Sequence, residues 1–278
     1  MERKRSAVLL ALPAALSLFI FFVCPMVFIF LKTIAENGLS DFVDFFTDPF
    51  YLDILWTTFR VSLVSTLVSL LLGYPTAYYM ARTKSRLKNV MMIIILFPFL
   101  VSAVVRSYGW MVILGKNGLL NQLLQGIGLI KEPLEILNTE TAVIIGMIHL
   151  LIPYMIMSLI GVLQSIDPNV EYAAQSLGAS PLETFVKVVF PLSLPGIISG
   201  CVLVFTMSMT SYVTPKLLGG SKFRMMATMV VQEINVNFDW GAASAISYIL
   251  MAAILVCQAL IVFGSAGYMK RMGGGKNA

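Results

Sequence analysis

One polar stretch between two long apolar runs has the composition of a contact site for another protein. It places a carboxylate, several small residues and a glycine on one short amphipathic segment, Glu171-Tyr172-Ala173-Ala174-Gln175-Ser176-Leu177-Gly178-Ala179-Ser180. Small side chains permit a close approach, and a glycine lets the backbone turn away. The alternative is an ordinary loop between helices, punctuated by Pro168 and Pro181 and capped by Asp167. The pattern favours docking over the ordinary loop.

Two arginines interrupt the apolar runs and are further candidates for chemistry. A charge inside hydrocarbon is costly, so such a residue is a functional candidate by default. For Arg60 we favour snorkelling to the headgroups or pairing with an acid such as Asp53. Arg106 lies beside Tyr108 and Trp110, and two interpretations stay open for it: an interfacial anchor, or part of the mouth of a solute pathway.

The fourth and fifth apolar runs carry other polar side chains. His149 is alone in its run, and we expect it to make a hydrogen bond within the packing rather than to relay protons. In the fifth run, hydroxyl-bearing residues are spread over more than one helical face, so some must face other helices or water. These residues are Thr206, Ser208, Thr210, Ser211 and Tyr212.

Composition then shows what must position these residues. The chain is 58% hydrophobic and only 12% charged, too little charge to cover the outside of a soluble protein. It is therefore expected to be an all-α integral membrane protein. Helices of roughly 20 apolar residues cross a bilayer. Six runs are long enough, at about 7–31, 55–80, 90–114, 141–163, 191–213 and 243–266.

Basic residues predict the orientation of these runs. They precede the first run, lie between the second and third, and follow the sixth, and such residues mark the cytoplasmic side. Both termini, and the loop between the fourth and fifth runs, are thus predicted to be cytoplasmic. The first run is too long for the core of a cleaved signal peptide and is expected to remain as a span. The basic residues are Arg3, Lys4, Arg5, Arg82, Lys84, Arg86, Lys88, Lys270, Arg271 and Lys276.

The polar stretch resembles the EAA loop of ATP-binding-cassette (ABC) importer permeases. That pattern is Glu-Ala-Ala, three residues, Gly, nine residues, then Ile-x-Leu-Pro. Counted from Gly178, the alanines fall at Ala173 and Ala174, while the family's glutamate position holds Tyr172 and the acid comes one residue earlier, at Glu171. The pattern ends at Val188-Val189-Phe190-Pro191. The resemblance implies ATPase coupling through Glu171, Ala173, Ala174, Leu177, Gly178 and Ala179.

Other phrases are similar to permeases of the spermidine/putrescine branch. They are Leu72-Gly73-Tyr74-Pro75 with Tyr78, Ala81 and Arg82; Arg106-Ser107-Tyr108-Gly109-Trp110; Gly115-Lys116-Asn117-Gly118-Leu119-Leu120-Asn121; and Thr214-Pro215-Lys216-Leu217-Leu218-Gly219-Gly220. The resemblance implies the fold of a type I ABC importer permease with six transmembrane helices, in a bacterial inner membrane. It divides the chain into an N-terminal helix and external loop (1–54), a core permease domain with the coupling loop at about 165–190 (55–266), and a cytoplasmic tail (267–278).

The same resemblance implies partners. They are a second permease in a heterodimer, two cytoplasmic ATPases that bind ATP and Mg, and an external solute-binding protein. The chain itself is expected to hold no cofactor or metal and to catalyse no reaction. The solute is expected to be a polyamine or a related small organic molecule, although the spans offer almost no acidic lining for a cation. The residues implied in its pathway are Arg106, Tyr108, Trp110, Thr210 and Tyr212.

Other functional classes fit the sequence less well. A secondary transporter driven by an ion gradient needs ion-coordinating groups near the membrane centre and often an internal repeat, and neither is visible. The tail Gly273-Gly274-Gly275-Lys276 lacks the spacing of a phosphate-binding loop, and the three cysteines are isolated. Anionic lipid explains the basic residues beside the spans without nucleic acid.

Two connecting segments are also expected to contain helices. One is a short interfacial helix over Leu119 to Leu124. The other is a surface helix in the Met-rich part of 214–242.

Overall fold

The computed structural model describes residues 12–13 and 16–273, which form helices joined by connecting segments. The helices are α1 Cys24–Asn37, α2 Ser40–Thr47, α3 Pro49–Arg82, α4 Leu87–Leu100, α5 Ala103–Leu114, α6 Leu119–Gly126, α7 Glu140–Ser165, α8 Pro168–Ser176, α9 Pro181–Thr184, α10 Phe190–Met209, α11 Val213–Gly219, α12 Met226–Gln232 and α13 Trp240–Gly273. Wider π-helical turns occupy Phe19–Val23, Phe185–Val189 and Glu233–Asn237. The all-α prediction is confirmed.

Five stretches among the described residues are long and apolar enough to cross a membrane, and a bent pair of helices makes a sixth if it counts as one span. The five are Leu16–Ala35, Pro49–Arg82, Glu140–Ser165, Pro181–Met209 and Trp240–Ser265. They correspond to the first, second, fourth, fifth and sixth predicted runs. The start predicted for the first run, and the basic residues Arg3, Lys4, Arg5 and Lys276, lie outside the described residues.

The third predicted run, 90–114, is not one straight helix. It covers parts of a bent pair, Leu87–Leu100 and Ala103–Gly126, whose two arms meet at an angle of 100°. Pro98 lies in the last turn of α4 and has no N–H to continue the helix. Val101 is extended, and the Ser102 hydroxyl then caps α5 by accepting from the Val104 N–H at 3.3 Å. The prediction of a continuous span missed this break because every residue around it except Ser102 is apolar or proline.

The fifth predicted run, 191–213, is shifted along the chain. The helix ends at Met209, so Thr210 and Tyr212 lie in the turn before α11 and not on the span. Thr210 closes the last turn, since its N–H and its Oγ1 both donate to the Thr206 carbonyl, at 3.1 and 3.0 Å. At the other end, α9, the π-helical turn and α10 follow each other directly from Pro181. The loop that resembles the EAA pattern therefore leads into the span without a flexible linker.

Helix α7 packs closely against α10. Gly196 of α10 leaves so little room that a Cβ there would lie 2.9 Å from Cβ of Val162 on α7. Ser158 adds hydrogen bonds across the pair, to the Gly196 carbonyl at 3.4 Å and to Ser199 at 3.1 Å. Small and hydroxyl-bearing residues commonly hold membrane helices together in this way.

The described residues group into two units. One contains those up to Leu52 together with Met229–Ile249, and in it the Tyr248 hydroxyl donates to the Met26 carbonyl at 2.6 Å. The other contains Asp53–Thr228 together with those from Leu250. All residues of the candidate site below belong to this second unit.

Both helices predicted in the connecting segments are present. The first, α6, is held by Asn121, which is buried and joins both ends of its loop. Its amide donates to the carbonyls of Gly115, Lys116 and Leu134 and accepts from the Leu134 N–H. The second, α12, was predicted on the surface, which is wrong for its start. Met225 and Met226 there are fully buried, and the Met226 N–H donates to Thr58 Oγ1 of α3 at 2.9 Å.

Candidate coupling site

The polar stretch folds as a short helix, α8, with a well-defined start. The Asp167 side chain caps it by accepting from the Asn169 N–H at 2.9 Å. Pro168 occupies the first helical position, where its missing N–H costs nothing. Glu171 lies in the first turn, where the helix dipole favours a negative charge. The ordinary rules of helix initiation therefore fix the position of Glu171.

Gly178 ends α8 in a left-handed conformation. Its φ is +92°, which residues with a side chain rarely adopt. Its N–H donates to the Gln175 carbonyl at 2.9 Å, and the Ala179 N–H donates to the Ala174 carbonyl at 3.1 Å. This pair of bonds is the Schellman arrangement that closes a helix on glycine. The glycine of the sequence pattern is thus required by the backbone itself.

A second cap follows at once and starts α9. The Ser180 hydroxyl accepts from the Glu183 N–H at 3.3 Å, and the Glu183 carboxylate accepts from the Ser180 N–H at 3.0 Å. Pro181 takes the first helical position, and Lys187 pairs with Glu183 at 3.1 Å. The turn between α8 and α9 is therefore fixed from both sides.

Glu171 points into the protein. Its side chain reaches the end of α3, where Arg82 Nε donates to Oε1 at 2.6 Å and the Tyr78 hydroxyl donates to Oε2 at 2.9 Å. Arg82 Nη2 also lies 2.5 Å from Oε1, as an ion-pair contact whose geometry is not that of a directed hydrogen bond. Only 8% of Glu171 is exposed. A carboxylate so placed cannot contact a partner without leaving Arg82.

Arg82 joins more than one element. Its Nη1 donates to the carbonyls of Leu163 and Ile166, at 3.0 and 3.2 Å, at the end of α7. The last carbonyls of a helix have no partner within the helix, so the guanidinium satisfies two that would otherwise be left. The same guanidinium lies 5.9 Å from the centre of the Tyr78 ring. One side chain at the end of α3 therefore holds both α7 and α8.

The opposite face of the segment is open. Tyr172 is 64% exposed, and Leu177, at the end of α8, is 90% exposed. Leu182 on α9 is 72% exposed. Ala173 and Gly178 are also exposed, while Ala174 and Ala179 are half-buried. The exposed part of the segment thus combines two leucines and a tyrosine with small residues.

The predicted coupling residues therefore do not share one environment. Glu171 belongs to the inner face, Ala173, Leu177 and Gly178 belong to the outer face, and Ala174 and Ala179 are half-buried. Sequence reasoning missed the roles of Tyr78 and Arg82, which it used only as part of a phrase and as a mark of orientation. A basic residue at the end of one predicted span and an acid in a later loop on the same side were the available signal.

The predicted pathway residues are only partly brought together. Arg106 donates from Nη1 to the Pro98 carbonyl at 2.8 Å, across the bend between α4 and α5. Tyr108 is exposed on α5, and Trp110 faces α7. No hydrogen bond or ring contact found among residues 16–273 links Thr210 or Tyr212 to these three. Their shared role in a pathway stays a prediction.

The two remaining polar predictions have definite outcomes. Trp110 Nε1 donates to His149 Nδ1 at 3.1 Å, which confirms hydrogen-bonded packing for the histidine. Arg60 pairs with Glu140, in the first turn of α7, which confirms pairing with an acid, although the acid is not Asp53, the example given from the sequence. Asp53 lies seven residues earlier on the same helix, about 10 Å along its axis, whereas α7 brings Glu140 alongside.

Comparison with known proteins identifies the family. A model of the family described as binding-protein-dependent transport system inner membrane component matches residues 69–271. The chain belongs to this permease family. The matched range contains the whole candidate site, from Tyr78 and Arg82 to Glu171 and Gly178.

Relatives within the permease family are similar along most of their length. The spermidine/putrescine transport system permease protein PotB of Haemophilus influenzae is 35% identical over 216 residues, covering 78% of this chain and 74% of the relative. PotB of Escherichia coli is 34% identical over 212 residues, covering 75% and 77%. The chain is thus a multi-pass inner-membrane permease of an ABC importer, a transport component and not an enzyme.

Solved permease structures share the fold. A chain of a bacterial ABC transporter that imports the acidic polysaccharide alginate has a TM-score of 0.74 at 18% identity, covering 98% of this chain and 97% of that one. A chain of the MetNI methionine ABC transporter has a TM-score of 0.54 at 16% identity, covering 79% and 94%. At these identities the likeness concerns the fold alone.

Proposed function

We propose that this permease imports a polyamine and is driven by a cytoplasmic ATPase that docks on the outer face of α8 and α9. The chain would form half of the solute pathway beside a second, different permease subunit. Two ATPases would bind ATP and Mg²⁺, and an external solute-binding protein would deliver the solute. Closure of the ATPases would favour one of two conformations of the spans, and their opening the other.

The observation that carries the docking proposal is the exposed pair Leu177 and Leu182. Each lies on a turn whose backbone is fixed by caps, so the two side chains are presented in a set geometry. Large apolar side chains exposed beside small residues are typical of protein contact sites. The predicted orientation places this surface in the cytoplasm, where lipid cannot cover it. An ATPase groove lined by apolar side chains is the partner that suits it.

Replacing Leu177 with aspartate tests docking directly. An unpaired charge buried in an apolar contact costs about 3–5 kcal/mol, so recovery of the ATPase with the tagged permease should fall at least tenfold. The matched control is Leu129→Asp, since Leu129 is 67% exposed but lies in the connection between α6 and α7. It should leave ATPase recovery unchanged. If both variants recovered the same amount of ATPase, the ATPase would not dock on α8.

The polyamine part of the proposal is supported by the spermidine/putrescine permeases that are 34–35% identical to this chain. It is tested by uptake of labelled spermidine into proteoliposomes that contain the whole transporter and its binding protein. Uptake should require ATP on the side of the membrane that holds the ATPases, and added putrescine should lower the uptake of labelled spermidine. Uptake that needs only a proton or sodium gradient would instead support a secondary transporter. If the whole transporter did not take up labelled spermidine in the presence of ATP, the polyamine assignment would be overturned.

A further inference from the structure

Glu171 and Tyr172 are neighbours in the sequence but face opposite environments. Successive residues of a helix point about 100° apart, since one turn contains 3.6 residues. Glu171 is 8% exposed and Tyr172 is 64% exposed. The acid one residue out of register is thereby removed from the surface that would meet an ATPase. It has a different set of contacts, all inside this chain.

Those contacts converge on the guanidinium of Arg82. It is the last residue of α3, a 34-residue helix. The guanidinium holds the first turn of α8 through Glu171 and the last turn of α7 through two carbonyls, those of Leu163 and Ile166. Tyr78, one turn earlier on α3, donates to the second carboxylate oxygen. Three helix ends therefore meet at one planar, permanently charged group.

We propose that Arg82, Glu171 and Tyr78 form a latch that transmits movement of α8 to the spans α3 and α7, with Glu171 and Arg82 as positioning residues for transport. The inference rests on the proposed docking of an ATPase on α8. In this arrangement the outer face of α8 receives the displacement. The inner face passes it to the membrane helices.

The geometry suits transmission for two reasons. Charge-assisted hydrogen bonds leave the planar guanidinium in two directions, from Nε to Glu171 and from Nη1 to the carbonyls of α7, and burial limits the competition from water. Aromatic contacts also connect the segment to α3. The ring of Phe185, just after α9, lies 5.5 Å from the Tyr78 ring and 5.6 Å from the Tyr74 ring. Tyr74 in turn shares a hydrogen bond of 2.7 Å with Ser193 of α10. Motion of the segment thus reaches α3 by two routes.

Two other roles for Glu171 make different predictions. If it contacted the ATPase directly, its loss would weaken docking. If it served only stability, its loss would lower the amount of folded permease without changing how transport depends on ATP hydrolysis. If Glu171 is part of a latch, its loss leaves docking and folding intact but separates ATP hydrolysis from transport.

The test is Glu171→Gln in the complete transporter, reconstituted in proteoliposomes with its binding protein. The variant keeps the size of the side chain and removes its charge. ATPase recovery should stay within about twofold of wild type, while the number of ATP molecules hydrolysed per spermidine imported should rise by about two- to thirtyfold, the range found for mutations along coupling networks. Arg82→Lys should raise this ratio less than Arg82→Ala does. Lysine keeps the positive charge, but its compact ammonium group cannot reach Glu171 and the α7 carbonyls together as the planar guanidinium does.

Glu135→Gln is the matched control. Glu135 is also a paired carboxylate, but its bond to Lys116 is exposed and it lies in the connection between α6 and α7, away from α8 and α9. Its loss should leave the hydrolysis-to-transport ratio unchanged. Should Glu171→Gln fail to reach the membrane, Tyr78→Phe removes only one hydroxyl and should still raise the ratio.

Three results would overturn the latch. They are loss of the ATPase from Glu171→Gln, an unchanged ratio in both Glu171→Gln and Tyr78→Phe, and an equal rise in Glu135→Gln. Failure of the proposed function is seen separately, because the wild-type complex would then recover no ATPase or import no spermidine. The wild-type measurement therefore precedes the variants.

Discussion

Replacing Gly178 separates the conformation of the turn from the chemistry of the docking surface. A Cβ at this position would meet nothing within 4 Å, so alanine causes no collision in the isolated permease. Its φ of +92° is the source of any effect. Holding a residue with a side chain in such a conformation costs about 1–2 kcal/mol. The population of permease with the native turn would then fall by a factor of up to about 5–30.

The measurement is the apparent affinity of the ATPase subunit for purified permease in detergent, for Gly178→Ala and Gly178→Asn. An ATPase that recognises the native turn binds more weakly in proportion to the lost population. Alanine should therefore weaken binding by up to about 5–30-fold. Asparagine should weaken it less, because it tolerates left-handed backbone better than alanine does. Gly178→Asp and Gly178→Arg add a charge at the surface and should abolish uptake while the permease stays in the membrane.

Gly161→Ala is the control for glycine replacement in general. Gly161 is exposed on α7 and has ordinary helical backbone, and a Cβ added there would also meet nothing within 4 Å. Alanine there should be neutral or stabilise by about 0.5–1 kcal/mol. If Gly178→Ala bound the ATPase as tightly as wild type, the backbone conformation at this turn would not control binding. If asparagine weakened binding more than alanine, side-chain bulk and not backbone conformation would be decisive.

Two further predictions concern stability and use the thermal midpoint of the purified permease. Gly196→Ala should destabilise the permease by about 1–3 kcal/mol because its Cβ would collide with Val162. Val162→Ala in the same chain should recover most of the loss. A midpoint unchanged by Gly196→Ala would contradict the close packing of α7 on α10. Asn121→Ala should lower the stability by about 1–3 kcal/mol for each buried backbone group left without a partner. The control is Gln122→Ala, at an exposed neighbour. If Asn121→Ala lowered the stability no more than this control, Asn121 would not bridge the loop.

Local signals predicted the elements of the site well. Asp167, Pro168 and Gly178 mark the start and end of α8 in the sequence, and the structure uses each of them as a cap or a turn. Long apolar runs likewise predicted the spans, because a helix in lipid must be apolar over its whole length. The errors fell where a local signal was weak. Apolar residues and Pro98 concealed the break before α5, and a run of hydroxyls concealed the early end of α10.

Long-range pairing was beyond such signals. Glu171 and Arg82 are 89 residues apart, and nothing near either residue indicates the other. An amphipathic interpretation of α8 places a glutamate on the solvent side, since an unpaired carboxylate is costly to bury. The buried position becomes possible only because α3 ends beside α8 and supplies both Arg82 and Tyr78. Arg60 shows the same limit, for its partner comes from α7 and not from its own helix.

The register of the glutamate is therefore informative rather than a flaw in the pattern. A one-residue shift on a helix changes which face a side chain occupies, so a carboxylate at position 172 and one at position 171 cannot do the same work. At 172 it would lie on the exposed face, and at 171 it meets Arg82. Moving the acid back, with Glu171→Tyr and Tyr172→Glu together, should keep the composition of α8 but empty the latch. If that double variant coupled hydrolysis to transport as well as wild type, the face on which the glutamate lies would have no importance.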